Sequence, residues 1–151
     1  MAQGLVYQAS DLAKSRRDFI NAGRAGSAVL RDTDGFALVL TPLQDRENER
    51  LISEVAVNVL RTETGLARPG VRQSEVPFGW LLVFDEDDRN EFLNEIRDAV
   101  SLAASTDDAT PIRTCLEDWK RTARALGDPQ RRAILIGSDD DDDYVEVGAP
   151  A

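Results

Sequence analysis

Residues 5–40 decide the fold of the amino-terminal part of the chain: LVYQASDLAKSRRDFINAGRAGSAVLRDTDGFALVL. The run at 5–7 is short, apolar and β-prone, and apolar residues at helical spacing follow from Leu12 to Gly23. Residues 27–31 and 36–40 have the pattern of two strands, and the turn at 32–35, Asp-Thr-Asp-Gly, is typical of a hairpin. This stretch therefore predicts a β-α-β-β unit.

After residue 40 the sequence predicts helices, a linker and a tail. A long helix is expected over residues 43–64, and Pro69, Gly70 and Pro77 make residues 65–77 typical of a linker. Apolar residues then recur at helical spacing, and a run of five aspartates favours disorder near the end. We expect an α+β chain of four parts: a β-α-β-β-α module (1–64), the linker (65–77), a mainly helical region (78–137) and an acidic tail (138–151).

Composition narrows the functional classes. The chain of 151 residues has no histidine and one cysteine, Cys115, which excludes a Ser/His/Asp or Cys/His catalytic arrangement, a histidine-containing zinc site and an internal disulfide. The aspartates at 139–143 do not fit a calcium loop, because Tyr144 stands where that loop needs glycine. We expect no metal, no cofactor and no enzymatic activity, and the alternative in that class is an enzyme that uses carboxylates. Without a secretion signal or a long apolar run, we expect a cytoplasmic protein with no membrane partner.

Charge is distributed unevenly along the chain, whose formal net charge is −10. Residues 9–31 hold five basic side chains and two acidic ones, whereas residues 36–151 hold thirteen basic and twenty-four acidic ones. A basic segment of this kind can bind phosphates, and arginine can also read guanine in the major groove. The alternative is a set of surface cations paired with Asp11 and Asp18. The candidate DNA-binding residues are Lys14, Arg16, Arg17, Arg24 and Arg31.

Two apolar patterns predict protein–protein contacts. One is an apolar stripe on the long helix. Because a β-α-β-β unit alone has a small core, it needs further apolar cover, and this stripe is available to pack on a second copy of the chain. The other is an amphipathic helix which, with the acidic tail, predicts a segment that folds on a basic partner. The alternative interpretation of this second pattern is an ordinary helical domain whose carboxy-terminal end is frayed and binds no partner. The candidate dimerisation residues are Leu51, Ile52, Val55 and Val59, and the candidate partner-binding residues are Ile112, Leu116, Trp119, Ala123, Asp141, Tyr144, Val145 and Val147.

Residues 5–40 resemble the prevent-host-death (Phd/YefM) antitoxin family, whose members open with a strand, a helix and a hairpin and continue into another helix. Residues 78–147 resemble the long carboxy-terminal extension of actinobacterial members in the phrases GWLLVF (79–84), DDRNEF (87–92), DWKRTA (118–123), DP (128–129) and DYVEV (143–147). The chain departs from the family pattern at Ala13, where arginine is frequent, and at Arg16, where an apolar residue is usual. Arg31 matches the hairpin arginine, but the turn is one residue longer.

The resemblance implies an antitoxin of a type II toxin–antitoxin system, without enzymatic activity. Such a protein dimerises through its amino-terminal module and acts as a transcription repressor of its own operon by binding operator DNA. Its carboxy-terminal segment neutralises a cognate toxin of the RelE/ParE-like ribonuclease type or of the Fic/Doc type, so the partner-binding residues become toxin-binding residues. The alternative is a DNA-binding transcriptional regulator or protein-interaction adaptor of the same fold without a toxin partner.

Overall fold

The computed structural model describes residues 5–128, which form a three-stranded sheet and four α-helices. Short 3-10 turns lie at Ala9–Asp11, Gln73–Glu75 and Gly79–Val83. The expected α+β class is confirmed, and the order over the described residues is β-α-β-β-α-α-α. The elements in chain order are β1 (Leu5–Gln8), α1 (Leu12–Arg24), β2 (Ala28–Arg31), β3 (Ala37–Leu40), α2 (Leu43–Leu66), α3 (Glu86–Thr106) and α4 (Thr110–Gly127).

The sheet has the strand order β1-β2-β3. β1 runs parallel to β2, with α1 as the connection between them, and β2 pairs with β3 in antiparallel orientation. In the hairpin turn the Asp32 amide donates to the Phe36 carbonyl at 2.8 Å, and the Phe36 amide donates to Asp34 Oδ1 at 2.9 Å. Gly35 has a φ of 87°, a conformation that a residue without a Cβ adopts at no steric cost.

α1 covers one face of the sheet. Gly23 permits the close approach, because a Cβ at that position would lie 2.6 Å from Leu40 Cδ2. On the same side the rings of Tyr7 and Phe19 have centroids 5.4 Å apart, and Ala28 is fully buried. Because side chains alternate along a strand, the opposite face of the sheet carries Val6, Val29, Val39 and Arg31.

The hydrophobic core lies among α2, α3, α4 and the segment that joins α2 to α3. Phe92 is at its centre, with the rings of Trp80 and Trp119 at centroid distances of 5.1 and 5.7 Å. Edge-to-face aromatic pairs of this kind contribute about 0.5–1.5 kcal/mol each beyond the burial of their surface. The buried members of the core are Val55, Val59, Phe78, Leu81, Phe84, Phe92, Leu93, Ile96, Ala99, Ala103, Ile112 and Ala123, and none of them comes from the sheet.

The second half of α2 belongs to this core, which differs from the division expected at residues 65–77. Thr62 is fully buried, and its Oγ1 accepts a hydrogen bond from the Phe78 amide at 3.3 Å. Val76 packs directly over Gly65, where a Cβ would overlap its side chain. Residues 65–77 therefore bring the chain back onto α2 instead of separating two modules.

A buried amide connects the first half of α2 to the turn between α3 and α4. Asn48 Nδ2 donates to the Asp107 carbonyl at 2.9 Å, and Asn48 Oδ1 accepts from Arg113 Nη2 at 3.2 Å. Asp107 ends α3 in the left-handed conformation, and the Asp108 carboxylate then accepts from both the amide and the hydroxyl of Thr110. Both halves of α2 are thus held against the α3–α4 pair.

Candidate nucleic-acid and partner-binding surfaces

Four exposed basic side chains of α1 form one surface, which we call the basic face: Lys14, Arg16, Arg17 and Arg24. At 3.6 residues per turn, three of them point away from Phe19, which packs on the sheet, and Arg16 lies at the edge of the covered side. Ile20 lies between the arginines and is 37% exposed. The basic face therefore combines positive charge with a small apolar contact.

The basic face has no carboxylate partner in the part of the chain that the structure describes. None of its four cations forms an ion pair there, and the pairing with Asp11 and Asp18 that would have neutralised it is not seen. Other described arginines do pair with a carboxylate, as Arg46 does with Glu49 at 3.1 Å. The charge of the basic face therefore remains available to an external anion.

Arg31 does not join the basic face. It is aligned with Gln8 and Ala37 across the sheet, on the side that α1 leaves uncovered. The five residues expected to bind DNA are thus divided into four on α1 and one on the opposite face. The spacing along β2 accounts for this division. Arg31 lies three residues after the buried Ala28, and residues of one strand that are an odd number apart lie on opposite faces of the sheet.

The uncovered side of the sheet is apolar, and we call it the open face: Val6, Val29 and Val39, which are aligned across the three strands. Val6 is 55% exposed and Val39 is 63% exposed. Within residues 5–40 the buried residues are Gly23 and Ala28 alone, so this unit has little core of its own. Apolar side chains are also exposed on the α1 side of the sheet, at Leu5, Leu38 and Leu40, and at Phe36 beside the hairpin turn. Contiguous apolar exposure of this kind marks an interaction surface.

The stripe expected to mediate dimerisation lies inside the core of its own chain. Val55 and Val59 are 3% and 4% exposed, and Leu51 and Ile52 pack as half-buried residues against the same cluster. The stripe therefore contacts the helical body, and it is not available to a second copy of the folded chain. Apolar residues at helical spacing indicate that one face of a helix is buried, but they do not show whether it is buried by the same chain or by another.

The α4 residues expected to lie in a partner's groove also pack within their own chain. Ile112 is fully buried and Ala123 is buried, whereas Leu116 and Trp119 are half-buried. The Trp119 indole N–H donates to a carboxylate oxygen of Glu95, which fixes the ring against α3. These residues therefore hold α4 on α3. The remaining residues of that set, Asp141, Tyr144, Val145 and Val147, lie outside the described residues.

Sequence reasoning misses a shallow apolar groove between α2 and α3. The groove has a volume of about 300 Å³ and is lined by Ala56, Val59, Leu60, Arg97, Val100 and Ser101. Leu60 follows Val59 directly, and the turn of about 100° between neighbouring helical residues directs it out of the core. Val57 and Leu60 are both exposed. The groove is therefore a second apolar surface, on the helical body.

Residues 5–128 contain no group of three or more His, Cys, Asp or Glu side chains that could hold a metal ion. A cleft of about 620 Å³ lies between the end of α2 and the start of α3, but two of the charged residues that line it, Glu63 and Arg97, pair with each other. No helix in this part of the chain is long and apolar enough to cross a membrane.

Cys115 is predicted to react slowly in the folded chain. Burial, followed by the negative charges of Glu95 and Asp118, raises the pKa of its thiol to about 11. Since the thiolate is the reactive form, we expect alkylation by iodoacetamide at pH 8 to be about 100-fold slower in the native chain than in urea. Equal rates in the two conditions, followed by mass spectrometry, would contradict this placement of the thiol.

No protein-family model, no curated protein and no solved structure matches the chain. The basic face and the open face of the amino-terminal unit therefore carry the functional inference.

Proposed function

We propose that the chain is the antitoxin of a type II toxin–antitoxin system, which neutralises a cognate toxin by direct binding and represses its own operon by binding operator DNA. The observation that carries this proposal is the combination, in one small unit, of an unpaired basic face and an uncovered apolar sheet. A basic helix suits the phosphates of DNA, and a second copy suits the uncovered sheet.

The resemblance to the Phd/YefM family supports the same proposal. On this reading, residues from β1 to α2 form the Phd/YefM-like module, and the helices that follow form the extension. Because Val55 and Val59 are occupied by the core of their own chain, we place the dimer contact on the open face instead.

A dimer also suits the DNA-binding role. One basic face offers four cations, and this number of phosphate contacts gives weak binding at physiological salt. A two-fold symmetric pair doubles the contacts and matches the two half-sites of a palindromic operator. Dimerisation and DNA binding are therefore coupled in this proposal.

The acidic tail (residues 138–151) is the proposed toxin-binding part. Five aspartates precede Tyr144, Val145 and Val147, so the tail combines negative charge with apolar anchors. This chemistry suits a toxin with a basic surface, such as the RNA-binding surface of a RelE/ParE-like ribonuclease, and it leaves a Fic/Doc-type toxin as the second candidate. Because Ile112 and Ala123 of α4 are buried in their own chain, they are not free to contact the toxin, and we assign α4 the role of holding the tail on the helical body.

Co-expression tests the proposal. The product of a small basic reading frame next to this gene is expected to arrest growth by itself, and the full chain is expected to restore colony numbers and to copurify with it. The K14A/R17A/R24A variant is the matched control, and it should still rescue growth because neutralisation uses a different part of the chain. A chain that binds DNA but does not relieve the arrest would instead support the regulator without a toxin.

A further inference from the structure

Two segments of this chain have complementary chemistry. α1 carries four basic side chains and one acidic one, Asp18, and Ile20 is exposed among its arginines. The acidic tail carries five consecutive aspartates, and Tyr144 and Val145 follow them directly. The basic face thus offers cations around an apolar group, and the tail offers anions beside apolar groups.

α4 is the other helix of the described chain with more basic than acidic residues, but its surface fits the tail less well. Its charges are partly neutralised, since Arg121 pairs with Asp118 at 3.0 Å. Its large apolar side chains face the core, including Leu116 and Trp119. The cations of α4 therefore lack the exposed apolar contact that Ile20 provides on α1.

We propose that the acidic tail docks on the basic face of α1 and competes with DNA for it. This inference rests on the DNA-binding role proposed above. The eleven residues from Asp128 to Asp139 span about 36–40 Å at full extension, which sets the reach of the tail from the end of α4. The basic face reached belongs to the same chain or to a second copy.

The expected strength follows from the tether. A random-coil linker of eleven residues gives, in general, an effective concentration of about 1 mM. If the untethered tail binds with a Kd of about 0.1 mM, the docked state is about ten times more populated than the free state. Docking then weakens DNA binding about tenfold at low salt. Because the contact is exposed and charged, this effect decreases as ionic strength rises.

The first experiment compares full-length chains for binding to a duplex taken from upstream of this gene. The D139N/D140N/D141N/D142N/D143N variant removes the charge of the tail and is expected to bind about tenfold more tightly than the wild type at 50 mM salt, with a smaller difference at 300 mM. The E86Q/D87N/E91Q/D98N/E117Q variant makes the same change in net charge on exposed residues of α3 and α4, and it should bind like the wild type.

The second experiment requires no DNA. A fluorescein-labelled peptide of residues 138–151 is titrated with the full-length five-asparagine chain, whose own tail no longer competes, and anisotropy is measured. A Kd of about 0.1 mM at 50 mM salt is the affinity that a tenfold effect on DNA binding requires. Binding should be lost when K14A/R17A/R24A is added to that chain and kept when K120A/R121A/R124A is added.

The two experiments separate this inference from the proposed function. If no chain binds the duplex but the peptide binds the basic face, DNA binding fails and tail docking remains. If the chains bind the duplex equally with and without the tail charges, or if peptide binding survives K14A/R17A/R24A or depends on the α4 cations, tail docking on α1 is wrong.

Discussion

Replacing Arg16, Arg17 and Arg24 with alanine is expected to weaken binding to the operator by the order of 1,000-fold at 100 mM salt. In a dimer the R16A/R17A/R24A variant removes six cations, so the slope of log K against log salt concentration should fall by about five. The fold should be unaffected, because the three side chains are exposed and alanine is the best helix former. Fluorescence anisotropy at several salt concentrations measures both quantities.

The matched control for this prediction is R61A/R72A/R124A, which removes three exposed arginines from other parts of the chain. This variant lowers the net charge equally, but we expect it to change the operator affinity by less than about threefold. If the two variants bind equally well, the basic face is not the DNA-binding surface. The R31A variant adds a separate test, since a large loss of operator affinity in a chain that sedimentation shows to be still a dimer would place a DNA contact on the uncovered side of the sheet.

A chain that ends at Gly137 is expected to lose all rescue from the toxin. This truncation removes the aspartates and Tyr144, and it keeps every residue of α4 and of the core. Because α4 uses Ile112 and Ala123 to pack on its own chain, we assign neutralisation to the tail. Colony counts with the toxin expressed measure the rescue, and operator binding by the same truncated chain shows that it is folded.

The V57S/L60S variant of the full chain is the control for this truncation. It replaces the groove residue Leu60 and the neighbouring exposed Val57 of α2 with polar side chains, and we expect it to rescue growth like the wild type. If the truncated chain rescues and the groove variant does not, the helical body is the toxin-binding part. A fragment of residues 1–77 is a poor substitute for these chains, because it would expose Val55 and Val59 to water.

Local sequence signals predict most of the elements. The expected helix over 43–64 is observed as Leu43–Leu66, and the expected strands over 27–31 and 36–40 are observed as Ala28–Arg31 and Ala37–Leu40. Asp85 caps α3, since its side chain accepts from the Asp88 amide at 2.9 Å. Helix caps and turns are determined by residues that are close together in the sequence, so the sequence alone is enough to predict them.

The sequence does not predict which surfaces meet. The apolar stripe on α2 is equally compatible with a second copy and with α3, and the choice depends on the path of residues 65–77. Gly65 and Gly79 determine that path, because Val76 and the Gln73 carbonyl pack where their Cβ atoms would be. Such contacts between distant residues leave no periodic pattern, so the sites assigned to Val55, Val59, Ile112 and Ala123 differ from the observed positions.

The central claim is that the amino-terminal unit is incomplete in one copy and is completed when the open faces of two copies meet. Sedimentation equilibrium of the full-length chain tests it most directly. We expect the wild type to be a dimer, and V39D to be a folded monomer because a carboxylate cannot be buried between two apolar sheets at low cost. V57D, a matched change at an exposed valine of α2, should remain a dimer. A wild-type chain that is a well-folded monomer at high micromolar concentration would contradict the account.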